Sequence, residues 1–269
     1  MFHVHAFNPH PLLRQYVDSY LLVSVDRPEF GFIESSLLPN TTQRLVFGLD
    51  SGNTIYDCKY SEFCAPNYIV GPNDAIRRVR MCSGMRKMMV QFKPGGLYKI
   101  FRLPAHNFNN RTRNAVEFLG KRVFEIGDLL RERPLSGKIE LMDDWLIENL
   151  QTPKKTDRNI DHAIRLIEQY NGNISLRELE HATFTTKRTL ERHFLEQIGL
   201  LPKSFSRLVR FNGVIRFIET NLNVKWRQLA DVFGYYDQSH FINEFKSLTG
   251  GLPQAYFSLK TGDERMMQV

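Results

Sequence analysis

Two short stretches place polar groups outward at helical spacing. In GYYDQSHFINEFKSLTG, residues 234–250, Asp237 stands ahead of a run in which Phe241, Phe245 and Leu248 are four and three residues apart, a single apolar stripe. Ser239, His240 and Asn243 fall on the other side, hydrogen-bonding groups with little net charge. Upstream, Thr186 precedes Lys187, Arg188, Glu191 and Arg192, which face away from Leu190 and Phe194. A small helix with a sharp start, a packed back and a polar front suits the DNA major groove. An α-helix fits there, and its side chains meet base-edge donors and acceptors. The same spacing also fits a helical protein-interaction module whose phenylalanines are only core.

The two stretches belong to a repeat. Leu179 matches Leu229 at an offset of 50. Leu190, Phe194, Gly199, Pro202 and Phe205 match Phe241, Phe245, Gly250, Pro253 and Tyr256 at an offset of 51. The one-residue slip falls in a turn, where an insertion disturbs no packing. Each unit reads as helix, tight turn, helix, Gly, Leu-Pro. The first opens on the capping box Ser175–Glu178, and Thr186 and Asp237 are the caps of the two second helices. PKSFSRLVRFNGVIRFIE (202–219) reads as one long helix, with Phe205, Leu208, Val209 and Ile215 on a common side. It would fix the distance between the units.

Ahead of this, four apolar runs punctuated by Gly, Pro and Asn predict strands at 19–25, 43–49, 67–71 and 87–92. Helical spacing follows over 106–150. QTPKKTDRN is the linker, so the chain divides into residues 1–150, a linker at 151–157 and an all-α part at 158–260. The fold class is therefore an amino-terminal mixed α/β domain, strand-rich and then helical, before two helix-turn-helix units joined by a long helix.

The 269 residues carry a net charge of +7, which permits a polyanionic partner without establishing one. The excess is spread, +3 over residues 1–153 and +4 over 154–269. No apolar run reaches the ~18 residues of a membrane span, and MFHVHAFNPHP is not a secretory signal, so the cytoplasm is expected and a membrane partner is not. Cys58, Cys64 and Cys82 lack metal or disulfide spacing and read as buried or free thiols. His3 and His5 form an H-x-H pair of the kind cupin-like metal sites use, but no Glu follows closely. A metal-binding enzyme fused to a DNA-binding tail stays an alternative. No G-x-S-x-G, Walker loop or catalytic Cys–His signature is present, and no cofactor is expected. Met81, Met85, Met88 and Met89 read as core filling.

GYYDQSHFINEFKSLTGGLPQAYF (234–257) closely resembles the signature G-F/Y-x-D-Q-S-H/Y-F-x-R-x-F-K-x-x-x-G-x-x-P-x-x-Y/F of the AraC/XylS family of bacterial transcription regulators. The likeness covers about 158–257. It implies two recognition helices in successive major-groove segments on one DNA face. By position it assigns base-facing roles to Arg188, Glu191 and Arg192 in the first unit and to Gln238, Ser239, His240 and Asn243 in the second. Lys187, Arg207, Arg210 and Lys246 take phosphate roles. Arg bidentate to guanine, Glu on cytosine N4 and Asn or Gln on adenine fit those assignments. The partners implied are double-stranded DNA, the transcription machinery, a small-molecule effector and a second copy in a homodimer. The sequence departs from the pattern in places. Glu180 and Phe184 stand where a small residue and Gly are usual, so the first turn is expected to be built differently. Lys225 replaces a Ser or Thr cap, and Asn243 replaces an Arg. FKPGGLYKIFRLPAHNFNN (92–110) is similar to the F-x-P-G-G-x-Y pattern of sensor-like domains found ahead of this unit. LPNTTQRLVFGL (38–49) and IVGP (69–72) add to that likeness. Effector-binding residues stay unassigned.

Overall fold

The computed structural model describes residues 2–26, 31–50, 52–220, 229 and 232–254. Among these residues ten strands form two antiparallel sheets. They are β1 (Phe2–Phe7), β2 (Val17–Val25), β3 (Phe32–Leu37), β4 (Gln43–Gly48), β5 (Ile55–Asp57), β6 (Glu62–Phe63), β7 (Tyr68–Val70), β8 (Arg77–Cys82), β9 (Arg86–Phe92) and β10 (Thr112–Asn114). One sheet has the order β1-β2-β9-β4-β7-β10, the other β3-β8-β5-β6.

Alternation along β4 shows how the six-stranded sheet serves two cores. Leu45 and Phe47 face one way, toward α3 (Arg122–Glu132) and α4 (Leu135–Glu148), where Ile126, Leu130, Trp145 and Leu146 close over them. Val46 faces the other way, with Val23 and Met89, toward Val79 and Met81 of the four-stranded sheet. A sheet covered on both faces needs apolar residues at successive positions. The four expected strands accordingly appear as β2, β4, β7 and β9, all in this sheet. The four-stranded sheet escaped the sequence reading: β8, RRVRMC, alternates buried Arg77, Val79 and Met81 with exposed Arg78 and Arg80.

Helices α1 (Gly96–Phe101) and α2 (Val116–Leu119) come before α3 and α4. The carboxy-terminal half holds α5 (Lys155–Gln169), α6 (Leu176–Thr183), α7 (Lys187–Gln197), α8 (Pro202–Thr220) and α9 (Gln238–Thr249). Helix α5 begins inside the stretch expected as linker, because the Asp157 carboxylate accepts from Lys154 N–H at 2.8 Å and closes that end. The all-α half packs round Ile164, Leu190, Phe194, Phe205, Phe211, Phe241 and Phe245. Expectations at Lys225, Ala230 (the small residue of the second unit's turn) and Tyr256 lie outside the described residues.

Cys58, Cys64 and Cys82 are free thiols. His3 and His5 lie on β1, opposite Ser24 and Leu22, and His3 Nε2 is 2.8 Å from Asp26 Oδ2. The described residues contain no group of three or more His, Cys, Asp or Glu that would hold a metal. Among them no helix is long and apolar enough to cross a membrane.

Candidate nucleic-acid interface

In the first unit α6 leads into α7. Ser175 Oγ accepts from Glu178 N–H at 3.2 Å while Glu178 Oε2 accepts from Ser175 N–H at 2.7 Å, the reciprocal box expected from the sequence. These bonds hold the Glu178 carboxyl below the usual carboxylate range. Thr186 caps α7 by accepting from Thr189 N–H at 3.4 Å. The departure at Glu180 and Phe184 does build a different turn. Phe184 takes left-handed backbone angles, φ 51 and ψ 40, and its ring is 92% exposed. Glu180 reaches over to accept from Lys187 N–H and gives α7 a second, anionic cap.

Helix α7 buries Leu190 and Phe194 and exposes Lys187, Arg188 and Arg192, with Glu191 partly exposed. Glu191 is 3.9 Å from Lys187 Nζ, and Arg192 Nη2 lies 3.2 Å from His193 Nε2. In the second unit Asp237 Oδ1 accepts from His240 N–H at 2.7 Å, starting α9 at the position the sequence predicts. Phe241, Phe245 and Leu248 are buried, while Gln238, Ser239, His240, Asn243 and Lys246 are exposed. His240 Nδ1 is turned back to Tyr236 N–H at 3.3 Å.

Helix α8 joins the units, and here two of the expected phosphate-contacting side chains are engaged within the fold. The family likeness gives Arg207 and Arg210 phosphate roles, but both guanidinium groups face Glu244 of α9, at 3.4 and 3.0 Å. Glu244 is nearly buried and also accepts from Tyr235 O–H at 2.9 Å. Arg210 further donates to Asn173 Oδ1 at 3.1 Å, and Asn173 Nδ2 donates to Phe233 O at 2.8 Å. This network ties α8, α9 and the loop after α5 together. Sequence reasoning missed it because Arg207 and Arg210 fall on a partly exposed side of α8. The available signal was Glu244 itself, an acid beside Phe245 on the inward stripe.

A second set of bonds seats the far end of α7 on the amino-terminal half. Tyr98 O–H donates to Glu196 Oε1 at 3.0 Å, and Gln43 Nε2 donates to Ile198 O at 3.0 Å. Asn109 Nδ2 donates to Gly199 O. Gln197 Nε2 and Arg102 Nη1 converge on the two oxygens of buried Asp157, at 3.1 and 3.0 Å. The F-x-P-G-G-x-Y stretch therefore does more than turn the chain. A Cβ on Gly96 would lie 2.0 Å from Tyr16 O, so only glycine lets α1 start against the sheet and aim Tyr98 at α7.

Residues 179–258 match the family model described as a helix-turn-helix domain. The carboxy-terminal part of this chain is a helix-turn-helix domain. Ahead of this helix-turn-helix domain, residues 5–114 match the model described as a domain of unknown function (DUF6597). No curated protein matches the chain. Among solved structures it is similar to ToxT from Vibrio cholerae O395, at 14% identity and a TM-score of 0.43, over 87% of this chain and 100% of that one. A second ToxT structure from Vibrio cholerae matches at 12% identity and a TM-score of 0.45, over 97% and 99%. A third, of ToxT with unsaturated fatty acid bound, matches at 12% and 0.40, over 86% and 96%.

Proposed function

We propose that this chain is a sequence-specific DNA-binding transcription regulator of the AraC/XylS type, acting in the bacterial cytoplasm. One observation carries the reading. Two capped helices, α7 and α9, each lock a Phe-containing stripe inward, expose hydrogen-bonding groups outward and are joined by the single rod α8. Arg188, Glu191 and Arg192 are the base-reading groups of the first unit, and Gln238, Ser239, His240 and Asn243 those of the second. Lys187 and Lys246 position the protein on phosphates without specifying sequence. The amino-terminal domain modulates DNA binding by taking up a small-molecule effector or by pairing two copies of the chain.

Selection of randomised duplex DNA with purified protein tests this. Two enriched blocks about one helical turn apart are expected. An Arg188→Ala, Arg192→Ala, Asn243→Ala triple variant should erase both. No enrichment by folded protein at low salt, with cell extract added to supply an effector, would overturn the reading.

A further inference from the structure

Two side chains stand further into solvent than any other large hydrophobic among the described residues. Phe184 and Tyr236 are each 92% exposed, and the next, Leu12, is 59% exposed. Single exposed hydrophobics are ordinary on a protein surface. These two are set apart by where they recur. Phe184 lies two residues before Thr186, the cap of α7, and Tyr236 one residue before Asp237, the cap of α9.

The two turns reach that arrangement by different routes. The first carries its ring on the left-handed residue itself, at φ 51, and spans one residue, Thr185, to the cap. The second has Gly234 in that conformation, at φ 65, and two residues, Tyr235 and Tyr236, before the cap. This is the one-residue slip between the repeats. Tyr235 turns inward and donates to Glu244 at 2.9 Å, whereas Tyr236 turns outward. Glycine at 184 would meet the first turn as it meets the second, so neither turn requires a ring. An aromatic set beside both caps by two turn designs points to a partner that meets both helix starts.

The neighbours of the rings identify that partner. Glu180 bonds Lys187 N–H across the Phe184 turn, so the ring leads directly into exposed Lys187, Arg188 and Arg192. His240 Nδ1 accepts from Tyr236 N–H at 3.3 Å, so Tyr236 adjoins the base-reading set of α9. Both rings thus stand at the amino-terminal ends of α7 and α9, the ends of recognition helices that meet base edges. A phenyl ring offers no hydrogen bond to phosphate or base. The thymine C5-methyl is the apolar group that base pairs present in the major groove.

We propose that Phe184 and Tyr236 each cover a thymine methyl, at the edge of the block read by α7 and of the block read by α9. They add a preference for T to the polar readout. This rests on the reading of the chain as a DNA-binding regulator and adds two specificity residues to it.

Duplexes from the selected pool test it, with each thymine in turn replaced by deoxyuridine, which deletes the methyl and keeps the pairing. In titrations with the full chain, one such replacement at the edge of either block should weaken wild-type binding about fourfold, the worth of one apolar carbon taken out of water. Phe184→Ala should lose that sensitivity in the block read by α7 alone, and Tyr236→Ala in the other block alone. Tyr236→Phe, which keeps the ring and loses the hydroxyl, should behave as wild type. Urea midpoints check that the variants fold. Wild-type binding indifferent to every replacement overturns the proposal. So does unchanged sensitivity in the alanine variants, which would give the rings to a protein partner. Alanine variants that weaken all sequences alike would place the rings on deoxyribose and overturn the methyl contact. With enriched blocks in hand, each of these results leaves the regulator reading standing; no enrichment by wild type sinks both.

Discussion

Phe184 is an aromatic side chain in left-handed backbone, almost wholly in solvent, at the turn before α7. Its counterpart Gly234 holds φ 65 with Asn173 packed so close that a Cβ would lie 2.6 Å away. The two positions therefore predict opposite outcomes. A left-handed non-glycine residue costs roughly 1–2 kcal/mol, while glycine adds roughly 0.5–1 kcal/mol of chain entropy to the unfolded state. Phe184→Gly should thus leave stability equal or raise it by up to about 1 kcal/mol, seen as an unchanged or higher midpoint in urea. A lower midpoint would mean that the ring makes a contact in the fold. Gly234→Ala should destabilise in the same assay. Close by, Glu178 makes a pH-dependent contribution. Its carboxyl is held low by Ser175, so the stabilisation is present at neutral pH and is lost as pH falls through the lowered pKa. Glu178→Gln should flatten the acid limb of a plot of stability against pH; an identical limb would rule this out.

At the scale of elements, Glu244 decides how α8 and α9 meet. It is almost buried and answers Arg207, Arg210 and Tyr235 together. Burial pushes the Tyr235 hydroxyl up, so at neutral pH it stays a donor to Glu244. Removing one partner of such a set leaves buried charge unanswered, which costs about 3–5 kcal/mol. Glu244→Ala should therefore lower the unfolding free energy by about that amount, whereas Lys246→Ala on the exposed side should change it little. The same geometry separates two kinds of basic residue on DNA. Deleting a cation that neutralises one phosphate reduces the salt slope of binding by about 1. Lys246→Gln should do so, and Arg210→Gln should leave the slope alone; a reduced slope for Arg210→Gln would return that residue to the phosphate set. Both helices and their caps were legible in the sequence, because an apolar stripe and a capping residue are local signals. The network that Glu244 closes was not, since its two arginine partners lie 34 and 37 residues away. The strands divide on the same principle. Those with both faces covered read as continuous apolar runs, while β3 and β8 intersperse charges on an exposed face and left no run to find.

Across the whole molecule the two recognition helices rest on different supports. Helix α9 is held by α8 within the carboxy-terminal half, whereas the end of α7 is seated on Tyr98, Gln43 and Asn109 of the amino-terminal half. A change in the amino-terminal domain therefore reaches the first unit directly and, among the described residues, the second through α8 and the loop after α5. The FKPGGLY motif was visible in sequence, but its task was not, because the surface it grips comes from a helix about a hundred residues later. Gly199 is the sharpest place to cut this seam. It holds φ 88 against residues 105–109, and a Cβ there would lie 2.2 Å from Asn109 Oδ1 and 3.0 Å from Ala105 O. Gly199→Ala should loosen α7 from its seat at a cost of about 1–3 kcal/mol for the backbone conformation alone. Hydrogen exchange should then quicken in α1 and at the end of α7 while α9 keeps its protection. In DNA selection the block read by the first unit should fade and the other should persist. Equal loss of both blocks in a folded variant would show that α8 transmits the change to α9. Retention of both with wild-type exchange would show that the seat on the amino-terminal half does not position α7 for DNA.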